Sequence, residues 1–273
     1  MPTDRLTSPQ NPRIKALLRL QQKPAERRVQ GLTLVEGLRE LVVAAEAGVA
    51  IAALYTCPEL AGPGVYPALQ ALLASQPRPP EWLELAPPVF EKLAYRDGSD
   101  GVVALVRPPA ATLNRLLLPP APLLLLVEAV EKPGNLGALL RTADAAAVDA
   151  VLVLDARADV WSPNVIRASI GCAFTRPLVA VGRDEGFRWL RERGIRTFAA
   201  ALTPRARPYT EVDFRGPTAL LLGTEADGLT PEALTLADET IIIPMRGRID
   251  SLNVSVAAAI LTFEAVRQRL KNR

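Results

Sequence analysis

Asn135 and Arg141, six residues apart, are the first pair in this sequence that invites a chemical reading. A guanidinium near the start of a helix opposes the helix dipole, so its placement calls for a partner. Phosphate binding and stabilisation of an anionic oxygen are the two tasks that suit the group. A helix beginning near Leu136 would make Asn135 its N-cap, with the side-chain oxygen accepting a free helix N–H. Arg141 would then lie about 9 Å further along the axis. Helical side chains tilt toward the N-terminus, so Arg141 can reach back to the turn at Pro133, Gly134 and Asn135. Plainer accounts stand beside these: a cap and nothing more for Asn135, an ion pair with Asp144 or Glu131 for Arg141.

Two later loops carry unusual residues. One runs Leu222, Gly223, Thr224, Glu225, Ala226, with Gly228 and a capping Thr230 after it. Its glycines would let a ligand approach the backbone, and Glu225 would accept hydrogen bonds or balance a cation; alone, it also reads as a plain turn. The other follows Ile242, Ile243, Pro244 and Met245 with Arg246 and Arg248, then Ser251, Leu252 and Asn253 at a helix start. Ser251 suits an N-cap there, which by itself would account for it.

What is missing narrows the chemistry. The chain has no histidine and only two cysteines, Cys57 and Cys172. Imidazole acid–base work is excluded, and no zinc site of the Cys/His kind can form. Two distant cysteines make no disulfide framework, and no long apolar run or secretory signal is present, so a cytoplasmic protein is expected.

The elements that would position these loops come in two patterns. Residues 1–107 alternate short helical and strand-like stretches, with helices over 11–22, 37–47 and 67–75 and strands over 32–35, 51–55, 82–85 and 102–106. A proline-rich stretch over 108–121 reads as a semi-rigid linker. From 122 to 273, six apolar runs suit strands buried on both faces, with helices over 136–147, 163–170, 184–193, 231–237 and 252–270 between and after them. That alternation predicts a doubly wound α/β domain with ligands at the C-terminal strand ends.

With 273 residues, 49% of them hydrophobic, the chain is large enough for two folded domains. Its net charge of +3 is unevenly spread. Residues 1–31 hold Arg5, Arg13, Lys15, Arg19, Lys23, Arg27 and Arg28 against Asp4 and Glu26. The last seven residues add Arg267, Arg269, Lys271 and Arg273 without an acid. Such clusters fit a polyanion, or serve simply as a solvated face. Arg13, Lys15, Arg19, Arg27, Arg28 and Arg141 are the candidates for contact with a polyanion.

The three loops in this order, over roughly 122–270, resemble the SpoU/TrmH branch of the SPOUT methyltransferases. The set that carries the resemblance is N-x-x-x-x-x-R, then G-x-E-x-x-G-L, then I-P-M with S-L-N before an Ala-rich helix. The basic N-terminal unit, with TLVEGLREL, is similar to the RNA-binding domain often attached to that branch. The resemblance implies a C-terminal trefoil knot, bound S-adenosylmethionine and a homodimer whose subunits both contribute to each site. It implies contacts to the cofactor from Leu222–Ala226, Ile242–Arg246 and Ser251–Asn253, and catalytic or orienting roles for Asn135, Arg141, Glu225, Ser251 and Asn253. Lys132 departs from the acid that many relatives carry before Pro-Gly-Asn. The reaction implied is methyl transfer to a ribose 2′-hydroxyl, on ribosomal RNA ahead of transfer RNA, with no metal. A non-catalytic ribosome-assembly protein of the same fold is the alternative. A nicotinamide dehydrogenase or conventional Rossmann methyltransferase lacks its glycine-rich first loop here.

Overall fold

The computed structural model describes residues 4–270 apart from 75, 77, 95–98, 225 and 226. The chain divides into two compact units, Met1–Pro109 with Trp161–Thr175, and Ala110–Val160 with Arg176–Arg273.

The first unit holds β1 (Asp4–Leu6), α1 (Pro12–Gln22), α2 (Pro24–Gln30), β2 (Thr33–Glu36), α3 (Leu38–Glu46), β3 (Ala50–Thr56), α4 (Val65–Ala74), β4 (Glu81–Leu85), α5 (Pro87–Leu93) and β5 (Val102–Arg107). The strands form a mixed sheet in the order β1-β4-β3-β5-β2. β5 runs antiparallel to both β3 and β2. Ile14 and Leu17 of α1 pack with Val89, Phe90 and Leu93 of α5 on the sheet residues Leu34, Tyr55, Leu83 and Leu85.

The second unit begins with β6 (Leu123–Glu128), α6 (Pro133–Ala145) and β7 (Ala150–Leu154). After α7 (Pro163–Ala168) come β8 (Leu178–Val181), α8 (Arg183–Glu192), β9 (Arg196–Ala200), β10 (Arg207–Pro208), β11 (Thr218–Leu222), α9 (Pro231–Leu236), β12 (Glu239–Ile242) and α10 (Val254–Leu270). The seven strands are ordered β10-β12-β9-β11-β6-β7-β8 and every pairing is parallel. All residues of β6, β7 and β11 are buried, as expected for strands covered on both faces.

Three expectations need correction. α6 starts at Pro133, with Lys132 as its N-cap residue, so Asn135 is inside the first turn and caps nothing. Proline supplies the first residue of α1, α2, α5, α6, α7 and α9; its fixed φ and absent N–H suit that position, so the Pro133-Gly134-Asn135 signal read as a turn begins a helix. The proline-rich stretch is not a bare spacer: Leu113 is buried in the second unit's core, with Ala111, Leu116 and Leu118 packed against it. Finally, α7 lies with the first unit, where the Thr33 hydroxyl donates to the Trp161 carbonyl at 2.6 Å.

The end of α10 is tied down by Arg269 together with Gln268, which accepts from the Phe214 amide and donates to the Val212 carbonyl. The Arg269 guanidinium donates to the carbonyls of Phe214, Ala121, Pro122 and Gly216 at 2.7–3.1 Å. Burial holds its pKa below the ordinary arginine value. Arg269→Ala is expected to cost about 2–4 kcal/mol of stability, because it strands several carbonyls at once. Urea denaturation checks this; a loss below about 0.5 kcal/mol would mean that water replaces the guanidinium freely.

Candidate functional site

Three adjacent strands of the second sheet, β12, β9 and β11, end around one cavity of about 490 Å³. Its volume suits a small-molecule cofactor. The loop after β11 contributes Leu222, Gly223, Thr224, Asp227 and Gly228, and the segment after β12 contributes Ile243, Met245, Ser251 and Leu252. Of the residues expected to contact a cofactor, Leu222, Gly223, Thr224, Ile242, Ile243, Met245, Ser251 and Leu252 line this cavity; Pro244, Arg246 and Asn253 do not. Glu225 and Ala226 lie outside the described residues.

The sequence reading missed the end of β9. Ala200, Ala201 and Leu202 form one wall, and Leu202 is 71% exposed at the rim. The signal was present in TFAAAL, a buried strand running into small residues, but nothing polar marked it. Asp227 and Asp250 supply acids at the same cavity.

The loop after β11 is folded on itself. Thr224 and Gly228 exchange backbone hydrogen bonds of 2.9 and 3.1 Å, and the Thr224 hydroxyl accepts from the Asp227 amide at 3.0 Å. A Cβ on Gly223 would sit 2.2 Å from the carbonyl carbon and oxygen of Gly228. No side chain fits there.

A smaller hollow of about 70 Å³ shares Gly223, Thr224, Asp227 and Val254 with the cavity and adds Glu131, Lys132 and Asn135. Here the first and third motifs meet: Asn253 Nδ2 donates to Asn135 Oδ1 at 3.4 Å. Asn253, not Ser251, caps α10; its Oδ1 accepts from the Ser255 amide at 2.9 Å and the Ser255 hydroxyl at 2.6 Å. Ser251 instead donates to Asp250 Oδ1 at 3.1 Å beside the cavity. Capping therefore accounts for neither Asn135 nor Ser251.

Arg141 is exposed on α6 and lines neither hollow. Its two suggested ion-pair partners are engaged elsewhere. Asp144 pairs with Arg176 at 4.0 Å. Glu131 pairs with Arg157 and raises that arginine's pKa through the shared hydrogen bond. The Arg141 side chain makes no hydrogen bond or ion pair among the described residues.

The candidate RNA contacts divide. Lys15, Arg19 and Arg28 are exposed. Arg13 is exposed but paired with Glu81. Arg27 is a correction: it is 5% exposed, and its guanidinium donates to the Leu20 and Gln21 carbonyls at the end of α1. Burying a charge demands such acceptors, so Arg27 holds α2 to α1 and is withdrawn from the RNA surface. Arg267 likewise pairs with Glu264. Among the described residues, no helix is long and apolar enough to cross a membrane, and no cluster of three or more His, Cys, Asp or Glu could hold a metal.

A parallel sheet with a loop-lined cavity at its strand ends defines a cofactor-binding α/β protein. The three motifs meeting there narrow the class. The SpoU rRNA Methylase family matches residues 122–263, and the MRM3-like substrate binding domain matches residues 11–104. The chain belongs to the SpoU family of S-adenosylmethionine-dependent RNA 2′-O-methyltransferases.

Its relatives include the tRNA (guanosine(18)-2′-O)-methyltransferase of Thermus thermophilus, 48% identical over 55% of this chain and 76% of that protein. The 23S rRNA (uridine(2479)-2′-O)-methyltransferase of Streptomyces viridochromogenes is 35% identical over 71% of this chain and 69% of that one. The crystal structure of the SpoU methyltransferase AviRb from Streptomyces viridochromogenes, in complex with AdoMet, superposes with a TM-score of 0.86 at 31% identity, covering 97% of this chain and all of that one.

Proposed function

We propose that this enzyme methylates a ribose 2′-hydroxyl of ribosomal RNA in the cytoplasm, acting as a homodimer with a knotted catalytic unit. The observation that carries the reaction is the Asn135–Asn253 contact, which draws the first and third motifs to the edge of the cofactor-sized cavity.

The cavity fits the cofactor in chemistry as well as size. Leu202, Leu222, Leu234 and Ile241 offer apolar walls for a purine ring, the loops offer backbone donors and acceptors, and Asp227 and Asp250 complement a cation. S-adenosylmethionine, when bound, supplies a methyl group on a cationic sulfonium.

The remaining work falls to the chain itself. A ribose hydroxyl is a weak acid, so oxygen must gain negative charge as the new bond forms. Arginine is too strong a base partner to surrender its proton at neutral pH. Arg141 therefore acts as a charge-stabilising donor to the 2′-oxygen and its neighbouring phosphate. Asn135 at the smaller hollow and Ser251 at the cavity orient the ribose, Asn253 fixes the start of α10, and Glu225 orders its loop.

Arg141 lines neither hollow of its own subunit, and dimerisation brings it to the partner's cavity. Val256, Phe263 and Leu270 are 46, 47 and 61% exposed at intervals of seven along α10, which aligns them on one face of the helix. That stripe is the proposed dimer surface. Phe263→Glu is expected to yield monomers by light scattering and to abolish methyl transfer; an intact dimer would remove α10 from the interface.

Ribosomal RNA is favoured over transfer RNA by the first unit, which matches a substrate-binding domain and exposes Lys15, Arg19 and Arg28. Parallel assays on undermethylated ribosomal and transfer RNA test the choice. Faster transfer to ribosomal RNA supports it, and exclusive transfer to transfer RNA refutes it.

A further inference from the structure

β6 ends in a carboxylate, Glu128, that is 2% exposed after five apolar residues. Burying an unpaired carboxylate is costly, so its partners show what it is there to hold. Glu128 Oε2 accepts from the Thr230 amide at 2.9 Å, and Oε1 accepts from the Thr230 hydroxyl at 2.7 Å. The Arg183 Nη1 lies 3.9 Å from the same Oε1 and donates to the Thr230 hydroxyl at 3.4 Å. Thr230 in turn caps α9, accepting from the Ala233 amide at 3.1 Å. Burial opposes charge on Arg183, but the hydrogen bond to Asp184 and the fields of Asp184, Glu128 and Glu232 outweigh it and raise its pKa.

Thr230 closes the loop that begins at Gly223 and lines the cofactor cavity. The Thr224–Gly228 backbone pair ties Gly228 to the end of β11, and Gly228 and Leu229 carry the cavity wall on to Thr230. Glu128 grips Thr230 from the neighbouring strand β6 without lining the cavity.

We propose that Glu128 is a positioning residue for cofactor binding, acting through Thr230 with Arg183 to dock the cavity-lining Gly228 and Leu229 and the start of α9 against the sheet. It rests on the methyltransferase reading above. Its effect belongs to cofactor affinity and not to the transfer step, because none of the three side chains lines the cavity or the smaller hollow.

The test is isothermal titration of the full-length protein with S-adenosylmethionine, alongside steady-state kinetics. Glu128→Gln and Thr230→Val are each expected to weaken cofactor affinity and raise its KM by about tenfold, with kcat at saturating cofactor within about twofold. Thr230→Ser, which keeps the hydroxyl, restores wild-type values. The Glu128→Gln/Thr230→Val double variant loses no more than either single one, since both break one unit. Unchanged affinity in Thr230→Val, additive losses, or a fall in kcat with KM constant would each overturn the proposal. Wild-type protein that binds no cofactor would overturn the methyltransferase reading itself, whereas binding by wild type with equal binding by Glu128→Gln overturns only this one.

Discussion

Arg141→Ala is expected to lower kcat by about a thousandfold, the effect of removing one preorganised donor to a developing oxyanion. Cofactor affinity and thermal stability should stay close to wild type. The structure separates these outcomes, because the Arg141 side chain is exposed, has no partner among the described residues, and lines neither hollow. An exposed side chain of this kind contributes within about 0.5 kcal/mol to folding. Arg141→Lys should retain part of the activity: it keeps the charge but loses the planar fork that holds two oxygens at once. Single-turnover rates with prebound cofactor make the measurement. Near-wild-type transfer by a folded, cofactor-binding alanine variant would remove Arg141 from the reaction.

Gly223→Ala should be nearly as damaging for a different reason. The added methyl would lie 2.2 Å from Gly228 carbonyl atoms and 2.4 Å from the Leu229 amide nitrogen. Those are backbone atoms, held by the Thr224–Gly228 pairing, and they cannot swing aside as a side chain would. The loop must open, and it forms one wall of the cavity. Overpacking of this kind costs about 1–3 kcal/mol in ordinary cores. If the strain falls on the bound loop, cofactor affinity drops by up to about a hundredfold. Titration with S-adenosylmethionine reads this directly. Unchanged affinity would show that the loop adjusts without altering the cavity.

The second sheet was legible because β6, β7 and β11 are continuous apolar runs, the pattern of a strand covered on both faces. Short elements escaped. β1 and β10 have three and two residues, too few to show a period. Of the helices that open on proline, the short ones at Pro24 and Pro87 went unseen and the one at Pro133 was expected three residues late.

Within the site, the loops were found from their unusual residues, while Ala200, Ala201 and Glu128 were not. Two alanines after a buried strand carry no chemical mark, and the value of Glu128 depends on Thr230, 102 positions later. Arg27 shows the converse limit. Counted with the basic residues around it, it looks like a phosphate contact; only the fold turns its guanidinium onto the carbonyls of α1.

The central claim is transfer to a ribose oxygen. Incubating the protein with methyl-labelled S-adenosylmethionine and unmodified ribosomal RNA, then digesting to nucleosides for mass spectrometry, tests it most directly. Label is expected in a 2′-O-methylnucleoside at one site, and none when Arg141 is replaced by alanine. Label on a base, or no transfer to ribosomal or transfer RNA by cofactor-bound protein, would contradict it.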